Sequence, residues 1–260
     1  QDSLMKLSTN SLSITNSVFK NVVTSASYGM MTLAFQDAYI SGCDFVNVTG
    51  SADSFGSIFY LKNSINQGLT QLKIANSTFT NVISASASIL FSEQSFMDFT
   101  MSNCSFTNVM VTSEAAIVFI GMQFQGFQMQ TISVSFDTSW YSLSFPSEYT
   151  QGSSSTTPNL QGSFLLMSDS TGTSVTLSNF SCNINANLTG GRLLSFSQNP
   201  SLIVSVSGLI SRGLVGRRLT DWDSSQSIGF GLVYLADSTL SLSDLSVSNQ
   251  NFLDVSVFQI

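Results

Sequence analysis

Apolar residues recur along this chain in a nine-slot pattern: apolar, any, Asn/Gly/Asp, Ser/Cys or another residue, any, apolar, any, often Asn, often Val. Four copies agree closely, running from Ile14 to Val22, Ile40 to Val48, Ile74 to Val82 and Met101 to Val109. Looser copies begin at Leu177 (with Asn179 and Cys182), at Val206 (with Gly208) and at Leu242 (with Asp244 and Val247). A degenerate copy is expected near Ile132. The alternation inside each copy predicts short strands with one apolar side. The third slot holds residues that best tolerate a left-handed backbone, so a corner is expected there.

A second signal precedes each copy, a small residue followed by an apolar run, as in Gly56-Ser-Ile58-Phe59-Tyr60-Leu61 and Ala116-Ile117-Val118-Phe119-Ile120. Aligned starts at Met31, Ile58, Ile89, Ile117, Phe164, Leu193 and Leu232 mostly lie 27 to 31 residues apart, and the longer steps hold insertions near 138–161 and 211–228. A unit of three short strands cannot close a core alone, so such units must stack, like residue above like. The expected fold is therefore all-β, a right-handed parallel β-helix of about eight three-stranded coils and roughly 40 Å long. It reads as a single domain over 1–260 and as a segment of a longer protein. Both terminal regions fall within the repeat, and Asp254–Phe258 has the character of one more leading strand. No window sustains the 3.6-residue period that a helical solenoid requires. An antiparallel sandwich would not account for nine slots recurring at coil-length spacing.

Two neighbouring columns of the leading strands are apolar nearly throughout. One is Met31, Ile58, Ile89, Ile117, Phe164, Leu193, Leu232; the next is Thr32, Phe59, Leu90, Val118, Leu165, Leu194, Val233. A strand apolar on both faces is normally covered on both. The cover comes either from the chain's own insertions, anchored by Trp140, Tyr141, Leu143, Phe145 and Trp222, or from another chain. The second possibility makes Phe59, Leu90, Val118, Leu165, Leu194 and Val233 the candidate assembly face.

Composition narrows the setting. Only 9% of residues are charged, while 51 Ser and 22 Thr supply most of the polar surface. Such a surface suits an extracellular wall, sheath or fibre. A net charge of −7 without a basic stripe argues against nucleic-acid binding. No run of 18 apolar residues is present, so no membrane-spanning helix is expected.

The I-x-N-S-x-F-x-N-V copies with their leading G-x-I/L/F strand resemble the pectin-lyase-like β-helix superfamily. In character they are most similar to repeat-rich protist surface proteins and bacterial autotransporter passengers. The resemblance covers nearly the whole chain and implies a fold more than an activity. The superfamily's glycosidases rely on clustered Asp residues with Gly-His-Gly and Arg-Ile-Lys segments, and its lyases on a calcium-binding carboxylate cluster with a basic proton acceptor. This chain has no His, and Asp37, Asp44, Asp98, Asp137 and Asp169 are scattered over different coils. Without His, no Ser or Cys nucleophile has its usual activating base, and three Cys alone do not make a zinc site. No catalytic residue, metal ligand or cofactor is therefore expected.

Cys43 and Cys104 share the fourth slot but are separated by the coil of Ser77, about 10 Å at two strand spacings, which is too far for a disulfide. Cys182, in the sixth slot, is expected to point inward. Sequons occur at Asn47, Asn76, Asn103, Asn179 and Asn187. Asn76, Asn103 and Asn179 lie in the bend slot, where a side-chain ladder would engage them. Asn47 and Asn187 are thus the better N-glycosylation candidates.

The expected role is a non-catalytic structural segment of a secreted or cell-surface protein (a fibre, stalk or adhesive shaft). Its expected partners are other protein chains or copies of itself through the apolar face, with covalent glycans. The alternative is a carbohydrate-binding or carbohydrate-cleaving β-helix protein. Arg217-Arg218, close to Asp221 and Asp223, would suit a contact or processing loop in a receptor-like domain.

Overall fold

The computed structural model describes residues 3–25, 28–50, 58–62, 70–84, 88–92, 96–111, 116–120, 124–136, 163–168, 172–189, 194–197, 202–217, 233–235, 239–248, 251–252 and 258–259. Among them every regular element is a strand, and every strand pairing is parallel. Both expected insertions fall largely outside these residues. The exception is 210–217, expected in part as loop, which forms a strand.

A nine-stranded sheet collects the leading strands: β1 (Met5–Ser8), β4 (Met31–Ala34), β7 (Phe59–Leu61), β10 (Leu90–Ser92), β12 (Ala116–Ile120), β14 (Ser163–Ser168), β16 (Leu194–Ser197), β19 (Val233–Leu235) and β23 (Phe258–Gln259). A fourteen-stranded sheet carries the nine-slot copies. Its first row is β2 (Ser11–Thr15), β5 (Asp37–Ser41), β8 (Thr70–Ala75), β11 (Phe96–Val111), β13 (Phe124–Phe136), β15 (Gly172–Thr189), β17 (Ile203–Ser207) and β20 (Thr239–Ser243). A second row, β3 (Val18–Val23), β6 (Asp44–Thr49) and β9 (Thr78–Ser84), joins the latter half of β11. On the far side β18 (Ile210–Arg217) pairs with β15, β21 (Ser246–Ser248) and β22 (Asn251–Phe252). Strands adjacent in sequence do not pair with each other; β1 pairs with β4, β4 with β7 and β7 with β10.

Register confirms the repeat. Ile14, Ile40, Ile74, Met101, Met129, Leu177, Val206 and Leu242 form one column, each on the next. The degenerate copy therefore starts at Met129, not near Ile132. Ile132 pairs with Cys104 in the fourth slot, and Thr131 takes the bend with φ of 55°. The other bend residues also have positive φ: Asn16 (48°), Gly42 (64°), Asn76 (49°), Asn103 (52°), Asn179 (52°), Gly208 (63°) and Asp244 (54°). Gly42 has a second constraint. A Cβ there would lie 2.5 Å from Asn16 Oδ1, so a side chain would collide with the amide below.

The leading strands correct the sequence alignment by one residue in one coil. Met31 pairs with Phe59 and Thr32 with Tyr60. A slip of one residue exchanges the two faces of a strand, so Thr32 does not belong with Phe59. From Phe59 onward the expected column holds: Leu90, Val118, Leu165, Leu194 and Val233 follow in register, and Phe258 stacks on Val233.

The core is one continuous cluster between the two sheets. It includes Met31, Leu33, Phe45, Phe59, Leu61, Phe79, Leu90, Phe106, Phe127, Phe180 and Leu209, each at most 2% exposed. Phenylalanines in the sixth slot stack from one paired strand to the next. Ring centroids lie 5.0 Å apart for Phe19–Phe45, 5.1 Å for Phe45–Phe79 and 4.9 Å for Phe79–Phe106, with planes within 9°. Those distances follow from the strand spacing itself, which places identical rings at stacking distance.

Candidate functional site: the outward faces and the asparagine ladders

The eighth slot, left without a reason by sequence reasoning, turns out to be a second corner. Asn21, Asn47, Asn81 and Asn108 have φ of 57°, 55°, 55° and 54°. Their amides form a ladder in which Asn47 Nδ2 donates to Asn21 Oδ1 (2.9 Å), Asn81 to Asn47 (2.9 Å) and Asn108 to Asn81 (3.0 Å). In the third slot Asn103 Nδ2 donates to Asn76 Oδ1 at 3.2 Å. Asn suits both slots because it tolerates the left-handed region and carries a donor and an acceptor for neighbours above and below. The signal was visible as four Asn at one slot, but pairwise stacking was needed to interpret it.

These ladders change the reading of the sequons. Asn47 was set apart because it lies outside the third slot, yet its amide bonds to both Asn21 and Asn81. It is engaged like the bend-slot residues, although its side chain is exposed. Asn76, Asn103 and Asn179 are exposed at their corners. Asn187 stands in β15 opposite Val215 of β18, and its side chain lies outside the described residues.

The candidate assembly face is corrected at Phe59 and Leu90. Both side chains are 0% exposed and belong to the core cluster. Met30, Ile58 and Ile89, the residues just before the strands, are also 0% exposed and in the same cluster. The chain bends at these residues, so consecutive side chains both turn inward. Backbone bonds stack this corner, with Met5 N–H donating to Met30 O, Met31 to Ile58 and Phe59 to Ile89, each at 2.9 Å. Two adjacent apolar columns therefore mark an inward corner rather than two covered faces. Val118, Leu165, Leu194 and Val233 share the register of Leu90; their side chains lie outside the described residues.

The outward column is instead Lys6, Thr32, Tyr60 and Phe91; Phe119 and Leu166 share its backbone register, and their side chains lie outside the described residues. Tyr60 is only 4% exposed. Its ring meets Tyr28 at 4.6 Å and Phe91 at 5.8 Å. Thr32 and Ser3 share a hydrogen bond. Part of this face is thus covered from within the chain, by a turn that neither expected insertion includes. Trp140, Tyr141, Leu143, Phe145 and Trp222 lie outside the described residues.

The outer side of β5, β8 and β11 gathers groups that looked scattered in sequence. Gln71 pairs with both Asp37 and Asp98, placing the two acids in one column two strands apart. Beside them Lys73 Nζ sits 5.6 Å from the centre of the Tyr39 ring, and Tyr39 is 40% exposed. In the neighbouring row Thr78 Oγ1 donates to Asp44 Oδ1 at 2.6 Å. Asp137, Asp169, Asp221, Asp223 and Arg218 lie outside the described residues. Among the described residues no three His, Cys, Asp or Glu are grouped to hold a metal, and no helix is long and apolar enough to cross a membrane.

The three cysteines are free and buried. Ser77, 0% exposed, stands between the Cys43 and Cys104 coils and satisfies its own hydroxyl. Ser77 Oγ donates to Ala75 O at 2.8 Å and accepts from Cys43 N–H at 3.2 Å. Cys104 Sγ donates to Ser102 O at 3.3 Å. Burial pushes the Cys104 thiol up to about 11, against smaller opposing backbone bonds from Ser77 and Ser102. Burial alone pushes Cys182 up to about 12. Neither is a nucleophile at neutral pH, since the thiolate is the reactive form.

Comparison with protein families, curated proteins and solved structures finds no match to this chain.

Proposed function

We propose that the chain winds as a right-handed parallel β-helix, in the manner of the pectin-lyase-like superfamily, and acts as a non-catalytic shaft in an extracellular or cell-surface protein. The observation that carries this reading is the stacking of like on like along the strand rows. Phe19, Phe45, Phe79 and Phe106 form one continuous column, and Asn21, Asn47, Asn81 and Asn108 another. Such columns couple each coil to the next and resist bending, as a stalk or fibre requires. The low charge and the hydroxyl-rich composition support an extracellular setting, where the sequons at Asn47, Asn76, Asn103, Asn179 and Asn187 would meet the glycosylation machinery. Partners would be other protein chains or further copies, with covalent glycans on the surface.

A carbohydrate-binding role is the second reading, favoured by one constellation. The exposed Tyr39 ring beside Lys73, flanked by Asp37, Gln71 and Asp98, combines a stacking surface with hydrogen-bonding groups. A glycan array read together with a reducing-end assay on uronate polymers separates the two. The shaft reading expects neither binding nor cleavage. Micromolar binding that Tyr39→Ala abolishes, or any release of reducing ends, would replace it with the second.

A further inference from the structure

An asparagine amide carries two N–H groups, and the eighth-slot ladder uses one of them. Asn47 Nδ2 donates to Asn21 Oδ1 on one side, while Asn47 Oδ1 accepts from Asn81 Nδ2 on the other, both at 2.9 Å. The two bonds leave the amide in opposite senses along the stack, so the donated N–H is the one trans to Oδ1. The second N–H lies cis to Oδ1 and runs parallel to the Cβ–Cγ bond, away from the backbone. Asn47 is exposed at a corner with φ of 55°, which turns that second N–H to solvent.

The stereochemistry of a sugar linkage fits this arrangement. A substituent on Nδ2 makes a secondary amide, and secondary amides strongly prefer the trans form. Trans sets the substituent opposite Cβ, in the position of the second N–H, and keeps the N–H that the ladder uses. Engagement in the ladder and attachment of a glycan therefore do not compete. The sequence adds room. Asn47 opens a sequon with Thr49, whereas Val23, Ile83 and Met110 stand where Asn21, Asn81 and Asn108 would need Ser or Thr. A glycan at Asn47 thus has no second one beside it on this ladder. In the third slot Asn76 and Asn103 both open sequons and bond to each other at 3.2 Å, so two glycans there would lie about 4.8 Å apart, one strand spacing.

We propose that Asn47 carries an N-linked glycan in place of its outward N–H while its amide stays in the ladder. The donor class is an oligosaccharide held through its anomeric carbon on a lipid diphosphate. The bond from Nδ2 to the anomeric carbon forms as the carbon–oxygen bond to the diphosphate breaks, and the diphosphate leaves with that electron pair. One Nδ2 proton passes to a base of the transferring enzyme. The other N–H remains and donates to Asn21 in the folded chain. The inference rests on the extracellular reading, because a secreted or surface chain is the one that meets such a donor.

The 260-residue chain is made in a eukaryotic secretory host and mapped by glycopeptide mass spectrometry. A glycan on the Asn47 peptide is expected. The secreted chain is then trimmed to one sugar per site and melted beside two variants made and trimmed in the same way. Thr49→Val removes the sequon and keeps the Asn47 amide; Thr49→Ala replaces it if valine disturbs the fold. Asn47→Gly keeps the positive φ and removes the amide, so it sets the scale of a lost ladder, about 5 °C for two hydrogen bonds. The trimmed chain is expected to melt with Thr49→Val, well above Asn47→Gly. Melting with Asn47→Gly would mean that the sugar breaks the ladder, and overturns the proposal. Equal melting of the two variants leaves no ladder to preserve and also overturns it. An empty Asn47 beside occupied Asn76, Asn103, Asn179 or Asn187 overturns it too, and leaves the extracellular reading standing. Retention of the chain inside the host counts against that reading instead, and the Asn47 peptide is then mapped from the retained chain.

Discussion

Asn81 allows the ladder to be separated from the corner it occupies. Its amide donates to Asn47 and accepts from Asn108, at 2.9 and 3.0 Å, while its backbone sits at φ of 55°. Two hydrogen bonds at the edge of solvent contribute about 1 kcal/mol each. Holding a residue with a Cβ in the left-handed region costs about 1–2 kcal/mol, less for Asn. Asn81→Gly loses both bonds but removes the backbone cost, for a net loss of about 1 kcal/mol. Asn81→Ala loses both bonds and pays the full backbone cost, so it should lose about 3 kcal/mol. Asn81→Asp keeps the acceptor for Asn108 but sets a carboxylate oxygen against the Asn47 carbonyl, and should fall between them. Urea unfolding followed by circular dichroism reads the order: wild type, Gly, Asp, Ala. If Asn81→Gly matches or exceeds wild type, the amides contribute nothing and the slot needs only its positive φ.

Phe79 is 0% exposed and stacked on both sides, so Phe79→Ala should cost about 3–5 kcal/mol, whereas Phe19→Ala, where the ring is only partly buried, should cost well under half of that in the same urea assay of the 260-residue chain. Ser77→Ala should lose about 1–2 kcal/mol, because it leaves Cys43 N–H without its 3.2 Å acceptor, while Ser77→Cys should be milder, since Cys already fits that slot in the coils on either side. Cys104 and Cys182 should resist a thiol reagent at pH 8 until the chain is unfolded; rapid native labelling would contradict their burial. Their raised folded values also fix a pH dependence. The thiols are neutral in both states below about 9; above it the unfolded chain ionises first, so stability declines as pH rises through about 11 and 12. Unfolding midpoints that stay flat from pH 9 to 12 would refute this.

Sequence exposed most where a slot demanded a particular backbone or a particular face. Asn16, Asn76, Asn103 and Asp244 could be placed at a corner because few residues tolerate positive φ, and Cys182 could be placed inward from its apolar slot. Legibility failed where neighbouring positions shared a character. Met30 and Met31 are both apolar and both buried, so nothing polar marked which one aligned with Phe59, and the alignment slipped. The same ambiguity made an inward corner look like a two-sided strand, and so placed Phe59 and Leu90 on an assembly face. The degenerate copy was placed near Ile132 rather than at Met129 because Thr131, a β-branched residue, occupies a bend where Asn or Gly was expected. Asp37 and Asp98 share a column only through the register with Gln71, which spacing alone did not reveal.

The register is indifferent to how much chain lies between paired strands. Val118 follows Leu90 by 28 residues, yet Leu165 follows Val118 by 47 and keeps the same alignment. Closing the longer loop rather than the shorter costs only about half a kcal/mol in chain entropy. New sequence can therefore be hung from a corner without disturbing the pitch of the frame. An array of this kind can diversify what it displays at regular intervals while its scaffold stays the same.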